Sequence, residues 1–193
     1  ILQRAKLMRR IADETRKVAN EGGKMLCYEN GKALGSAIKE FNDVADMFDY
    51  YAGLTDKLEG KTIPVSNSVL DYTVLEPYGV SAHIIPWNYP LSLMGWKLAP
   101  ALAAGNTVVM KPSEITSLSI LHWVDIVGDI MPPGVMNVIT GYGIEAGEAI
   151  VKHPKVPVIT FTGSIKTGKR IAKISAKNLK KVSLELGGKD PVV

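Results

Sequence analysis

Five short segments of this sequence concentrate the groups that hold or transform a small ligand. They are Pro86-Trp87-Asn88-Tyr89-Pro90, Lys111-Pro112-Ser113-Glu114, Gly141-Tyr142-Gly143, Thr162-Gly163-Ser164 and Glu185-Leu186-Gly187-Gly188-Lys189. Gly163-Ser164 precedes a helical stretch. Its hydroxyl, with the free N–H groups and partial positive charge of a helix start, suits a phosphate. Gly141 to Ala146 matches the dinucleotide fingerprint G-x-G-x-x-G/A. The ribose-binding acid that belongs about 20 residues further on is missing, because neither Asp nor Glu lies between Glu148 and Glu185. The segment reads as a pyrophosphate turn at Gly141 or as a plain tight turn from strand to helix. Gly163 to Lys169 approximates the phosphate-binding loop G-x-x-x-x-G-K-[ST], but Arg170 stands where the Mg-binding hydroxyl belongs. That keeps a P-loop-like nucleotide hydrolase as an alternative, with Glu185 as its only available acid.

The single cysteine, Cys27, is the obvious candidate nucleophile. It lies in the apolar stretch Met25-Leu26-Cys27-Tyr28, near no His and no Gly-rich turn, and reads better as a small buried hydrophobe. One thiol forms no intrachain disulfide and suits a reducing compartment, which places the protein in the cytoplasm.

The elements that must position these segments follow from periodicity. Residues 1–21 carry Leu2, Leu7, Ile11 and Val18 at helical spacing, and Gly22-Gly23 reads as a break. A short helix then runs to Tyr28 and closes at Asn30-Gly31. Residues 34–58 form a third helix, with Ile38, Phe41, Val44, Ala45, Phe48 and Tyr51 on one side. Thr62–Val65 and Val69–Leu75 flank the turn Ser66-Asn67-Ser68 and read as a β-hairpin, with Pro64 on an edge strand. From Tyr78 onward strands (80–85, 107–110, 135–140, 156–161, 181–185) alternate with helices (91–104, 118–130, 144–152, 166–178). This pattern predicts an α/β fold with a doubly wound parallel sheet. Ligands in such sheets bind at the carboxyl ends of the strands, where all five segments fall.

The composition, 46% hydrophobic and 22% charged over 193 residues, is that of a globular domain. The net charge of +4 comes from Lys and Arg interleaved with acids, which leaves no nucleic-acid footprint. No run of about 18 apolar residues predicts a membrane span. Ile1-Leu2-Gln3-Arg4 reads as the middle of a helix and Pro191-Val192-Val193 as the middle of a strand, so both ends read as cut.

Taken together, Pro86-Trp87-Asn88-Tyr89-Pro90, Lys111-Pro112-Ser113-Glu114, Phe161-Thr162-Gly163-Ser164 with Gly168, and Glu185-Leu186-Gly187-Gly188-Lys189 resemble the aldehyde dehydrogenase superfamily. Four motifs in this order and spacing are specific, and the match extends over the leading helices and the hairpin. The resemblance implies a Rossmann variant in three parts: leading helices (1–61), an oligomerisation-type hairpin arm (62–76) and a dinucleotide-binding sheet (77–193) that stops before a catalytic domain. It implies oxidation of an aldehyde to a carboxylic acid with NAD, or NADP, through a cysteine thiohemiacetal and thioester, in a homo-oligomer (dimer or tetramer).

The roles implied for single residues each stand beside a plainer structural reading. Asn88 resembles the oxyanion-hole amide; the alternative is a cap for the next helix. Lys111 and Glu114, with Ser113, resemble the group holding the adenosine ribose, Glu114 favouring NAD by repelling a 2′-phosphate; the alternative is an exposed helix cap. Gly163 and Ser164 resemble the pyrophosphate contact. Ile84, Ile85, Pro86 and Trp87 would line the cofactor groove, unless Trp87 is a core residue. Glu185 resembles the general base for thioester hydrolysis, or is a strand-end carboxylate paired with a lysine. Gly187 and Gly188 would let the backbone approach the nicotinamide end, and Glu185, Leu186 and Gly187 would belong to the cofactor site. Tyr89, Leu93 and Trp96 resemble the wall of an apolar aldehyde tunnel, or are core. The family's nucleophilic cysteine lies some tens of residues beyond the glutamate motif. The sequence ends at Val193, so the resemblance implies an isolated chain without its thiolate and inactive by itself. A non-catalytic scaffold of the same fold is a further alternative; Glu185 speaks against a superfamily reductase, which needs no hydrolytic water.

Overall fold

The computed structural model describes residues 1–189. The strand expected at Pro191–Val193 lies outside the described residues. Three helices lead: α1 (Leu2–Lys17), α2 (Ala19–Asn30) and α3 (Leu34–Ala52). Strands β1 (Thr62–Ser66) and β2 (Val69–Tyr72) then pair antiparallel as a hairpin, exposed along nearly its whole length.

The expected break at Gly22-Gly23 is wrong. The chain bends at Val18, and both glycines lie buried inside α2. They are there for close packing: a Cβ on Gly22 would come within 2.2 Å of the Phe41 ring, and one on Gly23 within 2.6 Å of Ile38 Cγ1. The Asn30-Gly31 stop is as expected, Gly31 taking φ 81° at the C-cap. The third helix ends at Ala52 and not at residue 58; Thr55 turns back to bond the Ala52 carbonyl at 3.1 Å.

The rest of the chain alternates as β3 (Val80–Ile84), α4 (Pro90–Ala103), β4 (Thr107–Lys111), α5 (Leu118–Val127), β5 (Met136–Val138), α6 (Glu148–Lys152), β6 (Val158–Gly163), α7 (Ile165–Ala176) and β7 (Lys181–Leu186). All five strands are parallel, in the order β5-β4-β3-β6-β7. The chain winds outward from β3 through β4 to β5, then returns to the other side of β3. This is the doubly wound sheet, with its topological switch between β3 and β6. The helix expected from Ile144 begins instead as a π-helical turn, Gly143–Gly147, before α6.

Each face of the sheet has its own core. Ala82, Ile159 and Phe161 pack with Val151 of α6 and Ile171 of α7. On the opposite face Val108 and Met110 join Leu91, Met94 and Leu98 of α4, Trp123 of α5, and Met8, Phe41 and Phe48 of the leading helices. Trp123 is fully buried; its Nε1 donates to Thr15 Oγ1 at 2.8 Å, so burying the indole leaves no donor unpaired.

Two glutamates of the leading helices satisfy the free amides that begin two helices of the sheet. Glu40 Oε2 accepts from the N–H groups of Leu91 and Ser92 at the start of α4, both at 3.1 Å. Glu29 accepts from the N–H groups of Leu118 and Ser119 at the start of α5, at 2.9 and 3.1 Å. Both place an anion where helix amides and dipole favour it.

Candidate functional site

The carboxyl ends of β3, β4 and β6 open into a cleft of about 850 Å³ at the switch point. Its base is the turn that leaves β3, Ile84 to Asn88. One wall is Lys111 with Ser113 to Ile115; the other is the start of α7, Gly163, Ser164 and Thr167. Leu186 and Gly187 also line it, and so do Gly147, Glu148 and Val151 from the α6 side with Arg170, Ile171 and Ile174 of α7.

Twelve residues given an individual role from the sequence line this cleft: Ile84, Ile85, Pro86, Trp87, Asn88, Lys111, Ser113, Glu114, Gly163, Ser164, Leu186 and Gly187. Gly141 does not. Its φ of 134° and the 3.1 Å from its would-be Cβ to Ala146 mark the tight strand-to-helix turn. The cleft is reached instead by Gly143 and Ile144 of the same fingerprint, and by Gly147, which the sequence did not single out.

Lys111 is buried, 2% exposed, and its Nζ donates to the Pro112 carbonyl at 2.7 Å, with Glu114 Oε2 at 3.6 Å. Burial pushes its pKa down and the Glu114 carboxylate partly offsets this. Glu114 caps no helix, since Glu29 does that for α5; its half-exposed carboxylate faces the cleft. Ser164 is the N-cap of α7. Its Oγ accepts from the Thr167 N–H at 3.2 Å and donates to Thr167 Oγ1 at 3.0 Å. The Ser164 side chain caps the Thr167 amide and not those of Ile165 and Lys166, and Ser164 and Thr167 bring this helix start to the cleft.

The phosphate-loop alternative does not survive this geometry. The residues between Gly163 and Gly168 form the first turn of α7 and no open loop. Gly168 is buried against Leu186, Lys169 is exposed, and Arg170 bonds Glu148 Oε2 through Nε at 2.8 Å and Nη2 at 2.5 Å.

Asn88 begins no helix either. Tyr89 is the N-cap residue of α4, Pro90 follows, and Glu40 takes the free amides. Among the described residues the Asn88 side chain makes no hydrogen bond to protein, and it is exposed in the cleft wall. Its backbone is held firmly. Lys32 Nζ donates to the Asn88 carbonyl at 2.8 Å, and Asn30 Nδ2 donates to the Trp87 carbonyl at 2.6 Å. Trp87 is 55% exposed, so it is no core residue. Tyr89 and Trp96 are likewise exposed, while Leu93 packs partly against the core.

Glu185 lies outside the cleft lining. Val182 and Leu184 pack on the α6–α7 side of the sheet, so alternation along β7 turns Glu185 to the α4 side. There it faces the same way as its register partner Thr162, whose buried Oγ1 has no hydrogen-bond partner among the described residues. Lys97 of α4 senses it: burial lowers the Lys97 pKa and the Glu185 charge raises it. Lys97 in turn adds to the burial that pushes His83 down to about 3, so His83 is neutral, its Nδ1 2.8 Å from Thr160 Oγ1. Among the described residues no group of three His, Cys, Asp or Glu side chains is arranged to hold a metal, and no helix is long and apolar enough to cross a membrane.

The comparisons with known proteins agree with this geometry. The aldehyde dehydrogenase family model matches residues 1–193. Hydroxyisobutyraldehyde dehydrogenase of Mycolicibacterium austroafricanum is 47% identical over 193 residues, all of this chain but 38% of that protein. Betaine aldehyde dehydrogenase 1 of Oryza sativa subsp. japonica is 45% identical over 196 residues, 98% of this chain and 39% of the relative. The NAD+ complex of an aldehyde dehydrogenase from Bacillus cereus superposes with a TM-score of 0.96 at 43% identity, covering 98% of this chain and 39% of the other. The chain thus spans well under half the length of these relatives, and over that span, by sequence and by fold, it belongs to the aldehyde dehydrogenase family.

Proposed function

We propose that the complete protein carrying this chain oxidises an aldehyde to a carboxylic acid with NAD, and that this chain supplies the cofactor cleft and part of the active site. The observation that carries the reading is the cleft itself. It joins a carboxylate and a buried lysine, Glu114 and Lys111, to the N-terminal turn of α7 across the switch point of the sheet. Those groups fit a dinucleotide: the carboxylate accepts from ribose hydroxyls, and the helix start receives the pyrophosphate beside Gly163 and Ser164. Ile84 to Trp87 line the groove, and Leu186 and Gly187 lie at the nicotinamide end. Bound NAD supplies the two-electron acceptor. The Glu114 carboxylate selects against a 2′-phosphate, so NADP is the poorer cofactor.

In this reading Asn88, with its amide unengaged, donates to the aldehyde oxygen as negative charge develops there. Glu185 takes the proton of the hydrolytic water. Tyr89, Leu93 and Trp96 present an apolar face to the aldehyde. Cys27 has a structural part: it sits on α2, and its Sγ donates to the Lys32 carbonyl at 3.0 Å. The division into leading helices (1–61), arm (62–76) and sheet (77–193) is part of the proposal. So is a homo-oligomer, dimer or tetramer, supported by a hairpin with Val65, Val69 and Leu70 exposed. A cytoplasmic location rests on the one free thiol alone.

The test is titration of the complete protein with NAD and NADP, followed by tryptophan fluorescence, and then aldehyde oxidation followed by NADH absorbance. Saturable NAD binding with aldehyde-dependent NADH formation is expected. Absence of NAD and NADP binding overturns the reading.

A further inference from the structure

We infer that Lys32 and Glu40 form a clamp that positions Asn88, and that through it the turn between α2 and α3 sets the geometry of the oxyanion donor. The inference rests on the role proposed above for Asn88.

The clamp is built from groups the cleft does not contain. Lys32 and Glu40 form an ion pair whose side chains are 12% and 2% exposed. Lys32 Nζ also donates to the Asn88 carbonyl at 2.8 Å and lies 4.2 Å from the centroid of the Tyr89 ring. Glu40 turns its other oxygen to the amides of Leu91 and Ser92. One lysine and one glutamate therefore hold the carbonyl of Asn88, the ring of Tyr89 and the first turn of α4 at once. Asn30 adds a bond to the Trp87 carbonyl at 2.6 Å. Asn88 lies on an exposed turn outside regular structure, between β3 and α4. The Asn88 amide has no protein partner among the described residues; the clamp fixes the backbone from which that amide projects, and so limits the positions its two side-chain torsions can reach. Preorganisation is what gives an oxyanion donor its effect, because a donor that must reorient during the reaction loses it.

A surface ion pair in this place would carry little. A nearly buried pair with each charge further engaged is a rigid strut. The lysine stem is long enough to reach three partners, and its ammonium has three donors. The Tyr89 ring adds a cation–π contact that restricts where the ammonium can sit. Lys32 is thus a positioning residue: it lies outside the cleft lining and acts through the groups it holds, the Asn88 carbonyl and the Tyr89 ring.

The experiment is a double-mutant cycle in the complete enzyme with Lys32→Met, Asn88→Ala and their combination. It reads kcat, KM for aldehyde, NAD affinity and thermal stability. Lys32→Met is expected to lower kcat by roughly tenfold, a part of the 10²–10³ that removal of an oxyanion donor costs. NAD affinity should be unchanged. In the Asn88→Ala background the same substitution should have almost no further effect on kcat. Should it reduce kcat by the same factor in both backgrounds, or leave kcat untouched in the first, the clamp has no bearing on Asn88. Lys32→Arg keeps a charge opposite Glu40 and serves where Lys32→Met fails to fold. It is expected to restore stability, to lower kcat by a smaller factor and to lose that effect in the Asn88→Ala background; a persistent effect there refutes the inference. If Asn88→Ala alone leaves kcat unchanged while NAD still binds, the oxyanion assignment is what fails, and the positioning role goes with it.

Discussion

Glu185 and Leu186 are neighbours on β7 yet face opposite sides of the sheet. Leu186 lines the cofactor cleft and packs against Gly168 of α7. Glu185 turns to α4, where its charge supports that of Lys97. On the roles proposed above, cofactor binding and proton transfer are therefore separable by single substitutions one residue apart. In the complete enzyme Glu185→Gln is expected to leave NAD affinity intact and to slow acyl-enzyme hydrolysis by roughly 10²–10⁴, the usual range for a general base. Stopped-flow absorbance should then show an NADH burst followed by a stalled steady state. Leu186→Ala should do the reverse, weakening NAD with little change in kcat at saturation. An unimpaired steady state in Glu185→Gln removes it from the mechanism.

Glu114 should decide between cofactors. Its carboxylate is 3.6 Å from a buried lysine and faces the cleft. Hydrogen bonds to charged groups contribute about 1.5–3 kcal/mol, so Glu114→Gln is expected to weaken NAD by roughly 10- to 100-fold. NADP should weaken less or bind better, because the repulsion of its 2′-phosphate is gone. Equal losses for the two cofactors would mean that Glu114 supports Lys111 and makes no contact with the ribose.

The sheet was legible because its information is local. Each strand is a short apolar run bounded by a turn, and each functional segment is contiguous in sequence at a strand end. What holds those segments is not contiguous. Glu40 sits among Ala37, Phe41 and Val44, on the buried side of α3, and a charge in an apolar stripe is a sign that it serves another element. Its partners, Leu91 and Ser92, are some fifty residues away. Lys32 and Glu29 act across similar or greater spans and leave no periodic trace. Gly22-Gly23 misled for the same reason: glycine as a helix stop and glycine as a close-packing site are identical in sequence. Only the Phe41 ring lying on Gly22 separates them.

That contact is testable. Gly22→Ala would set a methyl within 2.2 Å of a ring that is fully buried. The gain in helix propensity, up to about 1 kcal/mol, is smaller than the cost of overpacking, typically 1–3 kcal/mol. A net loss of stability by urea unfolding is expected, and Phe41→Leu in the same chain should recover part of it. A stabilised Gly22→Ala would show that α2 and α3 move apart at no cost.

His83 gives a prediction for pH. It is 1% exposed on the central strand, its Nδ1 is 2.8 Å from Thr160 Oγ1, and its Nε2 has no partner among the described residues. Burial, reinforced by the Lys97 charge, pushes its pKa from 6.5 to about 3. Between these values the unfolded chain binds a proton at this histidine and the folded chain does not. Stability therefore falls as pH drops through this window, with a limiting slope of about 1.4 kcal/mol per pH unit from this one group. The folded form is least penalised above pH 6.5. His83→Gln keeps a polar side chain opposite Thr160 and cannot titrate, so its stability should decline less steeply on acidification. The check is urea unfolding of wild type and His83→Gln at several pH values across the window. Parallel curves would mean that His83 protonates in the folded protein, and that the central strand admits a charge.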